Sequence, residues 1–78
     1  MYKVYALKSA KRSYIYVGLT GDLDKRVKQH NSGQEQTTRS YAPFKLIYQE
    51  LHATRLEARA RERYLKSGAG KEYLKSLV

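Results

Sequence analysis

Tyr14-Ile15-Tyr16-Val17-Gly18-Leu19-Thr20-Gly21-Asp22-Leu23 is the stretch on which the fold turns. Its first four residues are β-branched or aromatic, the composition of a strand, and Gly18 closes the run. Gly21-Asp22 then breaks the extended chain, and Asp22 stands where a side-chain oxygen can cap a helix starting at Leu23. Leu23, Val27 and His30 recur at i, i+4 and i+7, which predicts a helix of two or three turns. Asn31-Ser32-Gly33 ends it with residues able to take the left-handed conformation.

Upstream, Tyr2 to Leu7 alternates as a first strand, with Val4 and Ala6 on one face and Tyr5 and Leu7 on the other. The polar Lys8–Ser13 segment gives hairpin spacing, so the two strands pair antiparallel. Downstream, a polar loop runs to Ser40 and Pro43 closes it. Phe44 to Leu51 reads as a third strand, apolar on both faces. Thr54-Arg55-Leu56-Glu57 is a capping box that starts a second helix. That helix runs to about Lys66, with Leu56, Ala60 and Tyr64 as its inward stripe. Ser67-Gly68-Ala69-Gly70 stops it before a short last helix with Tyr73, Leu74 and Leu77 inward. The expected order is ββαβαα: an α+β fold, a three-stranded antiparallel sheet flanked by helices, with residues 1–78 as a single domain.

A chain of 78 residues has room for one thin core, burying about 60% of its unfolded surface. It has no cysteine and two histidines, which excludes disulfide staples and a structural zinc site. Sixteen Lys and Arg against seven Asp and Glu leave a net charge of +9, spread along the chain. Such a field attracts polyanions: DNA first, RNA as an alternative, although anionic lipid and acidic protein feel it too. Eight tyrosines add rings able to stack on unpaired bases, when they are not simply packing the strands. The opening Met1–Lys8 lacks the apolar run of a signal peptide or a membrane span, so a soluble, cytoplasmic protein is expected, with no membrane partner.

Chemistry concentrates in a few positions. Arg26 and His30 lie nearly in line on the first helix, beside the Leu23/Val27 stripe. There an arginine can hold a phosphate bidentately and an imidazole can accept or relay a proton. The plainer alternative is a packed histidine and a solvated arginine paired with Asp22. Tyr14, Tyr16 and Gly18 share one strand face, and the glycine lets another group come close to Tyr16. Tyr16 could act as a base only with a depressed pKa; otherwise it is a cross-strand partner of Tyr5. Glu57 is used by the capping box, which leaves Glu62 as the freer acid. It is either an i,i+4 partner of Lys66 or a hard oxygen ligand for magnesium.

Taken in order, Lys3-Val4-Tyr5, Tyr16-Val17-Gly18, Arg26-x-x-x-His30 and Glu57-Ala58-x-x-x-Glu62 resemble the GIY-YIG nuclease superfamily, over nearly the full chain. That superfamily includes the N-terminal nuclease of the bacterial excision-repair protein UvrC and some homing endonucleases. Length, the Asn31-Ser32-Gly33 ending, the Pro43-Phe44-Lys45-Leu46 strand entry and the Gly68-x-Gly70 turn resemble its small stand-alone UvrC-like bacterial branch. The resemblance implies that Glu62 binds one divalent ion, Mg2+ or Mn2+, and that Arg26 steadies the scissile phosphate. Tyr16 or His30 would deprotonate or orient the attacking water, and Tyr5 would complete the site. Three positions depart from the family pattern. Lys3 replaces the first glycine, Leu19 stands where many repair members have lysine, and no asparagine follows Glu62. The phosphate contact of that lysine is then either missing or supplied elsewhere, by Lys8 or Arg39.

The expectation is a metal-dependent endonuclease for DNA phosphodiesters, directed at structure or single strands, in repair or recombination. It would act as a monomer or weak dimer, with a protein partner as a source of specificity. Its main alternative is a non-catalytic nucleic-acid-binding module of the same fold. A third reading is a protein that docks on an acidic protein or on ribosomal RNA.

Overall fold

The computed structural model describes residues 1–78, and its centre is the strand β1 (Tyr2–Ser9). β1 alternates between two cores: Val4 and Ala6 are fully buried on one face, Tyr5 and Leu7 on the other. Both faces must therefore be covered. β2 (Ile15–Thr20) and β3 (Phe44–His52) flank it antiparallel, in the order β2-β1-β3. The register sets Tyr5 opposite Gly18 and Leu7 opposite Tyr16. A bulge shifts the pairing with β3 between Ala6 and Leu7. β2 extends past Gly18, so Leu19 is a strand residue and packs against the Val4 core.

Helix α1 (Leu23–Asn31) covers the Tyr5 face with Leu23 and Val27. Asp22 caps it as expected, accepting from the Lys25 N–H at 3.2 Å. Gly33 takes the left-handed turn, with φ +79°. Asn31 does not; its Oδ1 accepts from the Phe44 N–H at 2.6 Å and pins the start of β3 to the end of α1. The intervening loop contains a short 3-10 turn, Arg39–Tyr41.

Helices α2 (Arg55–Lys66) and α3 (Gly68–Lys75) cover the other face through Ala58, Leu65 and Leu74. The expected α2 stripe is corrected here. Leu56 is 81% exposed and Tyr64 45%, whereas Ala58 and Leu65 are fully buried, and the Glu62 side chain between them is only 14% exposed. Two forces set this rotation. Ala58 is small enough to lie close against Val4, Ala6 and Val17, and Arg61 Nε pairs with Glu50 Oε1 of β3 at 2.8 Å. The capping box forms by half: Thr54 Oγ1 accepts from the Glu57 N–H at 3.2 Å and donates to the Glu57 carboxylate at 2.9 Å. In α3 only Leu74 of the three expected residues is buried; Tyr73 and Leu77 are each 43% exposed. Ser67 ends α2 and caps α3. A side chain at Gly70 would meet the Tyr64 carbonyl oxygen at 2.2 Å, so the two helices touch backbone to backbone.

Candidate active site

α1 leaves β2 with only Gly21-Asp22 between them, so Arg26 and His30 are carried back over the sheet face that holds Tyr5 and Tyr16. His30 is buried, 1% exposed, and both its ring nitrogens are engaged. Nε2 lies 3.2 Å from the Tyr5 hydroxyl and Nδ1 2.9 Å from Thr38 Oγ1. The Tyr16 ring tilts over the imidazole with centroids 4.7 Å apart, and the Tyr5 ring is 6.2 Å from both. Gly18 makes this possible. A Cβ there would lie 2.5 Å from the Tyr5 hydroxyl oxygen and 2.9 Å from the Tyr16 ring.

Arg26 sits at the mouth of this cluster, its side chain 28% exposed. Its Nη1 donates to Glu35 Oε1 at 2.6 Å and to Gln29 Oε1 at 2.8 Å. Asp22, the partner expected from spacing, is occupied by its cap. Burial works against the Arg26 charge, but the Glu35 carboxylate and the Tyr5 hydroxyl more than offset it, so its pKa is raised. Burial pushes the Tyr5 phenol up to about 12, against the pull of the neighbouring guanidinium. Burial and the Arg26 charge together hold His30 below its usual value, with Glu35 opposing. At neutral pH the interior is thus a neutral phenol and a neutral imidazole behind a permanent cation. A neutral imidazole donates through one ring nitrogen and accepts through the other, so of the Tyr5 and Thr38 hydroxyls one donates to His30 and one accepts from it.

This interior has a pH signature. The unfolded His30 takes up a proton near its ordinary pKa of about 6.5, while the folded one resists until lower pH. Stability is therefore full above that value and falls as pH drops through the folded pKa. Melting temperature is expected to decline from about pH 7 to about pH 5, and to decline less in His30→Gln. An identical pH slope in the two proteins would contradict the assignment.

Sequence reasoning found Tyr5, Tyr16, Arg26 and His30, and the structure gathers all four. It missed Thr38 and Glu35, which hold His30 and Arg26 from a loop whose residues carry no periodic signal. Glu62 is placed differently. It belongs to the helix on the opposite sheet face, and its polar partners are Arg59 Nε at 3.5 Å and Lys66 Nζ at 3.3 Å on its own helix. The two faces meet at the free edge of β2. A groove of about 260 Å3 there is lined by Tyr16 of β2, by Tyr14 just before the strand, and by Lys66 and Lys71 from the helical side. Lys66, one turn beyond Glu62 on α2, reaches this edge, while Glu62 itself is not among the residues that line the groove.

Lys8 and Arg39 stand apart from the cluster. Lys8 Nζ donates to the Ser9 and Arg12 carbonyls, each at 2.9 Å, and closes the β1–β2 loop. The Arg39 stem lies alongside Gly33. No helix is long and apolar enough to cross a membrane.

A ββαβαα domain with tyrosine motifs on adjacent strands and Arg26-x-x-x-His30 on the helix that follows has the architecture of the GIY-YIG nucleases. The chain belongs to that family: residues 1–74 match the model described as the GIY-YIG catalytic domain. Similar proteins carry the name UPF0213. One from Clostridium perfringens is 44% identical, over 81% of this chain and 68% of its own length. One from Staphylococcus saprophyticus is 36% identical, over 92% of this chain and 88% of its own. The solution NMR structure of a UPF0213 protein from Bacillus halodurans superposes with a TM-score of 0.58 at 36% identity, covering 99% of this chain and 85% of that one.

Proposed function

We propose that the chain is a divalent-metal-dependent endonuclease that hydrolyses DNA phosphodiester bonds at the free edge of β2. The observation that carries this is the polarity of the cluster: Tyr5, His30 and Thr38 are buried and mutually bonded, while Arg26 and Tyr16 are the members solvent reaches. Arg26 is the group that binds a non-bridging phosphate oxygen and meets the charge developing on it. Between the two candidates for handling the attacking water, His30 has neither exposure nor a free nitrogen. That leaves Tyr16 to orient the water, with His30 and Tyr5 as positioning residues behind it.

Glu62 fits a metal of one kind. No group of three His, Cys, Asp or Glu is gathered that could cage an ion, so the donor set is one carboxylate completed by water and substrate oxygens. Magnesium accepts that arrangement, and manganese does also. The Arg59 and Lys66 contacts of Glu62 are long and their cations about half exposed, so an ion can displace them. Bound there, it would supply charge neutralisation at the phosphate.

Glu35 competes for Arg26 with any phosphate. The pair is partly exposed on both sides, so water and salt leave it weak. Glu35→Gln should therefore bind a single-stranded oligonucleotide about 2- to 5-fold more tightly, measured by fluorescence anisotropy in EDTA. Unchanged or weaker binding would mean that Arg26 does not meet phosphate.

The substrates assigned are branched or unpaired DNA segments such as arise in repair and recombination, since so small a surface offers little room for reading base sequence. The test is cleavage of labelled single-stranded, duplex and branched DNA, and of matching RNA, with magnesium, manganese or EDTA. Cutting that needs the ion supports the reading. Salt-sensitive binding with no cutting under any of these conditions would favour the second reading, a binding module, to which the Glu62 ion pairs and Leu19 in place of lysine lend support.

A further inference from the structure

The groove beside Tyr16 does not end there. A second cavity of about 330 Å3 adjoins it along β2, toward the β1–β2 loop, and the two share Tyr14, Ile15 and Lys71. Lys66 and Lys71 line the first cavity, Lys71 and Lys75 the second. Lys71 is exposed and forms no ion pair. Lys75 faces Glu72 at 3.5 Å, with both side chains mostly in water, so that pair holds it weakly. Tyr14, which borders both cavities, is fixed by stacking on Tyr41 at 4.0 Å between centroids, and so presents an aromatic edge of defined position. A row of lysines beside an anchored aromatic is the pattern that tracks a strand by its phosphates while tolerating any base.

We propose that the substrate strand leaves Tyr16 along the β2 edge, with its phosphates on Lys66, Lys71 and Lys75 and an unpaired nucleotide against Tyr14. The site would then act on a single-stranded segment flanking the cut. This rests on the endonuclease reading, and it can fail while that reading stands.

The experiment is oligonucleotide binding in EDTA as a function of salt, single-stranded against duplex. It compares wild type, Lys71→Ala, Lys71→Ala/Lys75→Ala, and Lys45→Ala on the far strand as a charge-matched control. Lys71→Ala should weaken single-strand binding roughly 3- to 10-fold, and each track lysine removed should cut the salt slope by about 0.7. Lys45→Ala should match the wild type, and melting temperatures should agree throughout. Equal losses in Lys45→Ala and Lys71→Ala, or no loss in either, would overturn the track. Equal wild-type affinity for duplex and single strand, with the lysines weakening both alike, would overturn the single-strand assignment. A wild type that binds no nucleic acid would overturn the endonuclease reading itself.

Discussion

Arg26→Ala should lower the single-turnover cleavage rate about 100- to 1000-fold, the loss seen when one preorganised donor to transition-state charge is removed. The reason is positional. Arg26 is the permanent cation at the mouth of a neutral interior, where the buried Tyr5 and His30 exclude water from behind it. Little of the loss should come from unfolding, because the Glu35 pair it breaks is partly exposed and contributes little to stability. Arg26→Lys should recover only part of the rate, since an ammonium keeps the charge but not the planar fork. Melting temperatures measured beside the rates separate the two effects. A cleavage rate in Arg26→Ala within a few-fold of wild type would remove this residue from the chemistry.

Gly18→Ala should be the most damaging small change to the fold. The added methyl would lie 2.5 Å from the Tyr5 hydroxyl oxygen and 2.6 Å from Cζ, and Tyr5 is fully buried with nowhere to retreat. Overpacking costs about 1–3 kcal/mol, and displacing Tyr5 from His30 adds about 1–3 kcal/mol. For a domain this small that is a melting-temperature drop of at least about 10 °C. Gly21→Ala is the matched control, because a side chain there meets nothing within 4 Å and should change stability by about 0.5 kcal/mol or less. Equal melting temperatures for the two variants would mean that Tyr5 does not sit against Gly18 as described.

What could be read in the sequence was what is local. The Asp22 cap, the capping threonine at Thr54, the alternation of Val4/Ala6 with Tyr5/Leu7 and the alignment of Arg26 with His30 depend on spacings of a few residues, and the structure has them all. The α2 face was misread because the helix carries two competing stripes. Leu56, Ala60 and Tyr64 are the more apolar, yet Ala58, Glu62 and Leu65 face inward. A carboxylate in the inward stripe hides it from any hydrophobic periodicity, and the Glu50–Arg61 pair that fixes the rotation joins residues of different elements. Glu35 and Thr38 were illegible for a related reason: the loop path delivers them, and no local pattern records where a loop returns. The bonds from Lys8 to the Ser9 and Arg12 carbonyls were not legible because they close a turn whose shape the sequence does not state.

The account stands or falls on whether the carboxylate of α2 and the tyrosine–arginine cluster of α1 and β2 act as one site across the β2 edge. The most direct measurement is single-turnover cleavage of a single-stranded substrate by wild type and Glu62→Gln, with magnesium and saturating protein, alongside affinities in EDTA. Glu62→Gln is expected to bind at least as tightly as wild type, because Arg59 and Lys66 remain and lose their acidic partner, and to lose roughly 100-fold or more in rate. Metal-dependent cutting at the wild-type rate in Glu62→Gln would place the ion elsewhere and contradict the shared site.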